Sequence, residues 1–340
     1  MTVLVAILLG IIQGLTEFIP ISSTAHLTIA ATWLGLIDPQ NPHAWTAFMA
    51  TIQLGTLAAV IIYFYNDIVT MLKAFFTENL VARRPLREQS APSKLSWFVI
   101  VGTIPIVIIG YLAKDFIDGN FTKNLNVIGI SLIVVAILLA IADRRASLKR
   151  TTDQLTVVDA IVIGFAQVLA LIPGSSRSGT TIMAGLFRGL TRSDAARFSF
   201  LLSLPAIFAS GMLKFMQEVR HLSWETGGVQ VLAATLAAGV SGYLSIAFLM
   251  SYLKRKSLMP FVVYRIGLGL VLLLTACTPV KDNDAADKNI ISERLDSVPA
   301  NVSVPPETSP VTVDTAVVTH IATVRTSKGT IIVGLFGIDA

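Results

Sequence analysis

The 340-residue sequence predicts an all-α membrane protein of six transmembrane helices plus two re-entrant broken-helix hairpins, arranged as an inverted repeat. Three observations carry that expectation. Only 14% of the residues are charged while 54% are hydrophobic, against about 25% charged in soluble domains. Six apolar runs are each long enough to cross roughly 30 Å of hydrocarbon as a helix. Two further apolar stretches are broken midway by proline, which cannot continue a helix without losing a backbone hydrogen bond. An ordinary water-soluble globule is excluded.

The six runs lie at 44–65, 95–113, 125–142, 196–216, 229–253 and 259–276, and the broken stretches at 3–36 and 155–190. The breaks fall at Pro20 and at Pro173-Gly174. Non-helical backbone at membrane depth survives only where protein encloses it or it lines a cavity. The two breaks are therefore where a polar site is expected. The apolar N-terminus does not read as a signal peptide, because Gln13, Glu17 and Pro20 interrupt it and no basic segment precedes it. Cys277 is the single cysteine, so an internal disulfide framework and a cysteine-rich metal site are excluded.

The net charge of +5 points to no nucleic-acid partner, since the basic residues cluster in short loops, as in cytoplasmic loops of membrane proteins. One cluster is Lys73, Arg83, Arg84, Arg87 and Lys94; a second is Arg144, Arg145, Lys149 and Arg150; a third is Lys254, Arg255 and Lys256. With these inside, all six spans alternate, the first hairpin enters from outside and the second from inside. The same arrangement exposes two halves, about 1–145 and 155–276. Gln13-Gly-Leu-Thr-Glu-Phe-Ile-Pro20-Ile-Ser-Ser matches Gln167-Val-Leu-Ala-Leu-Ile-Pro173-Gly-Ser-Ser with one gap. Inverted repeats with broken helices are a device for building a polar site near the midplane.

In the first hairpin Gln13 and Glu17 are four residues apart and share a helix face. Glu17 is the only carboxylate well inside an apolar stretch of the first half. An intramembrane ionisable group is costly and by default functional, although a protonated structural glutamate is the plainer reading. Beyond Pro20, Ser22 or Ser23 can cap a new helix whose free N–H groups favour an anion, with Thr24 beside them. Ser23 and His26, three apart, suit a nucleophile and its base; simple capping and a structural histidine are the competing readings.

The second break, Pro173-Gly174-Ser175-Ser176-Arg177-Ser178-Gly179-Thr180, describes a phosphate cradle at a helix N-terminus. It is not a P-loop, lacking G-x-x-x-x-G-K-[ST]. Arg177 at membrane depth needs an anion, either Glu17 or a ligand. Arg265 is expected to snorkel to the cytoplasmic side, with a functional role as the alternative, and Arg188, Arg192 and Arg197 to stand at the membrane surface. Thr51 and Gln53 either line the cavity or pack.

Together QGLTEFIPISSTAH and PGSSRSG resemble the two signature motifs of the bacitracin-resistance undecaprenyl-diphosphate phosphatases, with the resemblance covering about residues 1–275. It implies removal of the terminal phosphate from undecaprenyl diphosphate in the bacterial inner membrane. That reaction regenerates the carrier lipid for peptidoglycan synthesis and confers bacitracin resistance. The family's glutamate falls on Glu17, its serine and histidine on Ser23 and His26, and its arginine on Arg177. Gln13, Ser22, Thr24, Gly174, Ser175, Ser176, Ser178, Gly179 and Thr180 are the expected phosphate-binding residues.

Similar proteins depend on a divalent cation, Mg²⁺ or Ca²⁺, for which Glu17 is the expected ligand. Gln13 stands where relatives carry a second glutamate, which puts a two-carboxylate metal site in doubt. Ala25 stands where glycine is common. Two mechanisms stay open: attack by Ser23 with His26 or Glu17 taking its proton, or attack by water. The site is expected to face the periplasm. The partners are the lipid substrate and the bilayer, and a homodimer is open. A polyprenyl-phosphate transporter or flippase is the alternative, because inverted repeats suit alternating access.

After residue 276 the composition turns to Asp, Asn, Ser, Pro and Thr. The membrane phosphatase domain is thus 1–276 and residues 277–320 read as a disordered periplasmic linker. The stretch from Thr323 to Ala340 resembles the opening strands of a cyclophilin-type prolyl isomerase, so 321–340 is expected to be a truncated fragment without activity. Leu274-Thr275-Ala276-Cys277 resembles a lipoprotein processing box. A gene-level fusion and a functional extension are both open.

Overall fold

The structure, a computed structural model, describes residues 1–37, 42–113, 117, 120–218, 227–276, 318–326 and 329–336. Helices α1 (Val3–Phe18) and α2 (Ser23–Trp33) make the first hairpin. They are followed by α3 (Pro42–Tyr63), α4 (Tyr65–Phe76), α5 (Ala91–Leu112) and α6 (Leu125–Arg145). The second hairpin is α7 (Val157–Val168) and α8 (Arg177–Phe187), then α9 (Arg192–Glu218), α10 (Val229–Leu253) and α11 (Met259–Ala276).

Among the described residues five helices, α3, α5, α6, α9 and α10, are long and apolar enough to cross a membrane. The expected sixth span, α11, has 18 residues, at the short end of the 17–25 that suffice. Apolar side chains point outward along the long helices, as at Ile104 and Ile108 of α5 and Leu236 and Val240 of α10. This is a lipid-facing surface.

Several boundaries differ from the sequence expectation, two of them in the first basic loop. α4 is an extra helix where the first basic loop was expected; it buries Met71, leaves Leu72 and Phe76 exposed, and packs on α5. α5 starts at Ala91, ahead of the expected 95, because Pro92 suits a first helical turn and Lys94 reaches back to the Arg87 carbonyl.

The repeat is closer than the motif match implied. Thr2 and Thr156 cap α1 and α7, Ser22 and Ser176 cap α2 and α8, and Gly35 and Gly189 take positive φ after α2 and α8. Every pair is separated by the same 154 positions, with no gap. The backbone bond Leu36 N to Ala31 O has its counterpart in Leu190 N to Gly185 O. The one-gap match that set Pro20 against Pro173 is therefore corrected: Ser22 pairs with Ser176, and Ser23 with Arg177.

Helix packing follows the repeat. α1 packs on α10 as α7 packs on α5, while α3 meets α9 and α6 meets α11. Glycine permits both hairpin contacts. A Cβ at Gly10 would lie 2.2 Å from the Ala234 carbonyl oxygen, and one at its counterpart Gly164 2.4 Å from that of Gly102. The core runs from Phe18 and Phe64 through Phe198 and Phe200 to Ile246 and Leu249.

Chain contacts divide the protein into Met1–Pro279 and Val280–Ala340. In the second unit β1 (Val318–Thr326) and β2 (Gly329–Phe336) pair antiparallel, Val324 opposite Ile331, with an irregularity between Val318 and His320. Residues 277–317 of the expected linker, Cys277 included, lie outside the described residues.

Candidate active site

The two hairpin turns are built alike. α1 ends at Phe18 because Pro20 follows and Ile19 is extended; Ser22 then restarts the chain as the N-cap of α2, at φ 76°. Its counterpart Ser176 caps α8 at φ 67°, accepting from Gly179 N at 3.2 Å. Positive φ at a non-glycine residue costs about 1–3 kcal/mol and persists only where the surroundings hold it. Here Ser22 and Ser176 are both buried.

Glu17, buried on the last turn of α1, is the hub. Its Oε2 accepts from Gln13 Nε2 at 2.9 Å and from Ser23 Oγ at 2.6 Å. Its Oε1 accepts from Arg177 Nη2, which arrives from the other hairpin, 160 residues away in sequence. The structure thus brings together the expected carboxylate, serine and arginine. The bond to Ser23 is short and aimed at a carboxylate, the geometry of a hydroxyl whose proton has an acceptor in place.

His26 is placed differently from the expected partnership with Ser23. Its Nδ1 lies 2.7 Å from the Ser22 carbonyl oxygen and its Nε2 2.6 Å from Tyr264 Oη. The hydroxyl of Ser23 instead meets Glu17, so the proton acceptor in this arrangement is the carboxylate.

Arg265 corrects an expectation. It does not snorkel: it is completely buried, and its guanidinium donates to both turns. Nη1 reaches the Pro20 carbonyl at 3.1 Å, Nη2 those of Gly174 (3.1 Å) and Ser175 (3.0 Å), and Nε that of Leu132 (3.3 Å). No carboxylate is among these partners. The rule that an intramembrane ionisable residue is functional by default pointed to it, but a place near the end of a span fits snorkelling equally well. Tyr264, its neighbour, offered none, because a tyrosine in an apolar run also suits a membrane interface.

The other expected site residues divide. Ser175 Oγ is bonded to Ser131 (2.9 Å), Ser178 Oγ to Ser176 (3.1 Å) and Ile19 O (3.4 Å), and Thr180 Oγ1 to Arg177 O (3.1 Å). These hydroxyls brace the turns. Thr24 is half-buried on the first turn of α2, and Gly179 follows Ser178 on α8. Thr51 is bonded within its own helix.

Arg188, Arg192 and Arg197 are part-exposed, and all three are ion-paired, to Asp159, Asp143 and Asp67. Asp159 on α7 also binds Arg150, so it ties the start of the second hairpin to its end. The counterparts of Asp159 and Arg188 in the first hairpin are Val5 and Leu34, which form no such pair.

Among the described residues no three His, Cys, Asp or Glu side chains cluster as a metal site. Gln13 Oε1, however, is buried without a hydrogen-bond partner beside the Glu17 carboxylate. One carboxylate and one spare amide oxygen fit a hard cation that arrives with phosphate oxygens, the habit of Mg²⁺.

The sequence matches the family described as Bacitracin resistance protein BacA over residues 6–271. It is 52% identical over 273 residues to an undecaprenyl-diphosphatase of Syntrophobacter fumaroxidans, covering 80% of this chain and 97% of that one. Similar proteins of the same name occur in Chloroherpeton thalassium, 50% identical over 80% of this chain and 96% of the relative, and in Myxococcus xanthus, 47% identical over 81% and 89%.

Proposed function

Because the chain belongs to the bacitracin resistance protein BacA family, it dephosphorylates undecaprenyl diphosphate, and we propose that Glu17, Ser23 and Arg177 do so through a serine nucleophile. The observation that supports the assignment is Glu17, which accepts from the Ser23 hydroxyl on one oxygen and from Arg177 on the other. The product is the monophosphate carrier used in peptidoglycan synthesis.

Ser23 and Arg177 are the first residues of α2 and α8. Their N-terminal N–H groups have no intrahelical partner and favour an anion. The diphosphate binds between these two helix ends. Only Nη2 of Arg177 is engaged by Glu17, which leaves the rest of the planar fork for phosphate oxygens. Glu17 Oε2 takes the Ser23 proton as Oγ attacks the distal phosphorus; the bond from that phosphorus to the bridging oxygen breaks, and undecaprenyl phosphate leaves. Water then attacks the phosphoseryl group and gives a proton to His26, which lies one turn along α2. Glu17 returns its proton to Oγ as the phosphorus–Oγ bond breaks. A divalent cation, Mg²⁺ or Ca²⁺, held by Glu17 and Gln13 Oε1 would neutralise charge on the diphosphate oxygens.

We place the protein in the bacterial inner membrane with the basic loops in the cytoplasm and the Glu17 hairpin open to the periplasm. The support is the charge at the loops, carried by Arg144 and Arg145 on the last turn of α6, Lys149 beyond it and Lys254–Lys256 after α10.

Phosphate release by the purified chain from a C15 or C55 polyprenyl diphosphate tests the assignment. Wild-type protein releases phosphate and Ser23→Ala does not. Transport that survives Ser23→Ala with no hydrolysis in either protein would return the reading to a lipid transporter.

A further inference from the structure

α11 delivers two adjacent residues to the two hairpins. Arg265 points inward to the turn carbonyls, and Tyr264 reaches His26. Two contacts determine where the proton on the His26 ring lies. A carbonyl oxygen can only accept, so the contact of Nδ1 with Ser22 O at 2.7 Å requires the proton on Nδ1. The neutral ring then presents a lone pair at Nε2, and the Tyr264 hydroxyl donates into it at 2.6 Å.

The arrangement is held from both sides. The Ser22 carbonyl belongs to the positive-φ cap of α2 and also accepts the His26 backbone N–H at 3.3 Å. The tyrosine and imidazole rings lie nearly parallel, 6° between planes and 5.6 Å between centroids. Tyr264 is half-exposed, so its hydroxyl can turn away when substrate or water comes.

We propose that Tyr264 is a positioning residue for His26. Its hydroxyl, donating to Nε2, holds the ring in the tautomer with Nδ1 protonated, so that Nε2 presents a lone pair for a proton once the hydroxyl turns away. Tyr264 touches none of Glu17, Ser23 and Arg177 among the bonds of the site, so it acts through His26. This rests on the reading of His26 as the group that accepts the proton of the attacking water.

A double-mutant cycle on the full-length protein in detergent tests it, with kcat and KM measured on a C15 polyprenyl diphosphate for wild type, Tyr264→Phe, His26→Ala and the double variant. Phenylalanine keeps the ring and removes only the hydroxyl. The expected result for Tyr264→Phe is a kcat lower by about tenfold, the size of one hydrogen bond at about 1.4 kcal/mol, with KM within about twofold. His26→Ala should lose about 100-fold, and adding Tyr264→Phe to it should lose nothing more. Wild-type kcat in Tyr264→Phe, or a further tenfold loss in the His26→Ala background, overturns the inference while leaving the role of His26 intact. Wild-type kcat in His26→Ala overturns both.

Discussion

Ser23 Oγ donates to Glu17 Oε2 at 2.6 Å, across the turn that joins α1 to α2. In the proposed mechanism this places a base, worth about 10²–10⁴-fold, in contact with the nucleophile before substrate arrives. Glu17→Gln keeps the shape and can still accept from Ser23, but it cannot take the proton. The expected result is a kcat at least about 100-fold lower, read as phosphate release in detergent. Activity within tenfold of wild type would sink the proposed base.

Arg177→Lys separates charge from geometry. A lysine supplies one point charge, so it can serve Glu17 or a phosphate but not both as a planar fork does. Both Arg177→Lys and Arg177→Ala should lose most activity, and Arg177→Ala should also lower thermal stability, since Glu17 is left buried without its cation. That loss is about 3–5 kcal/mol for a buried pair broken on one side. A lysine variant with near-wild-type kcat would show that charge alone suffices.

Arg265→Lys tests the bridge between the two turns. One ammonium cannot reach the carbonyls of Pro20, Gly174 and Ser175 from the directions a guanidinium does. Each buried acceptor left bare costs about 1–3 kcal/mol. A lower melting temperature in detergent and a lower kcat are expected together. An unchanged melting temperature would mean that the turns hold without it.

Truncation after Ala276 is expected to leave insertion and kcat nearly unchanged, because the site residues all lie between Gln13 and Arg265. The family match ends at residue 271. An inactive or unstable truncated protein would make the remaining segment part of the enzyme.

Orientation is read by single cysteines at Leu34, Asn126 and Arg145 in a Cys277→Ser background. All three side chains are exposed. An impermeant thiol reagent on intact spheroplasts should label positions 34 and 126 and spare 145. The reverse pattern would place the Glu17 hairpin on the cytoplasmic side.

Glu17 and Arg177 were legible in the sequence because a charge inside an apolar run has few explanations. Arg265 was not, since a charge two turns from the end of a span also fits snorkelling, and only the fold shows that it faces the turns. The partnership of Ser23 and His26 followed from their spacing along one helix. Glu17 was closer, across the turn, and spacing along a helix cannot show that. The register of the repeat was obscured by the shared Pro-x-Ser-Ser, a local identity that required a gap. Thr2 with Thr156 and Gly35 with Gly189, which fix the gapless register, look unremarkable until their capping roles are seen.

The gapless register has a consequence for the ligand. A polyprenyl diphosphate carries two anionic phosphoryl groups about a bridging oxygen, the proximal one esterified to the lipid. In the proposed binding mode the repeat meets it with two like helix ends, α2 and α8, each opened by a serine cap at positive φ. The receptor and the ligand share an approximate two-fold symmetry, and the first residue after the cap breaks it. On one side that residue is a hydroxyl with a base in contact; on the other it is a guanidinium. Under the proposed mechanism Ser23 and Arg177 therefore distinguish the helix end that attacks from the helix end that holds. Exchanging the two residues, with no change in the backbone, exchanges the roles of the two helix ends and leaves the base on the wrong side of the bridging oxygen.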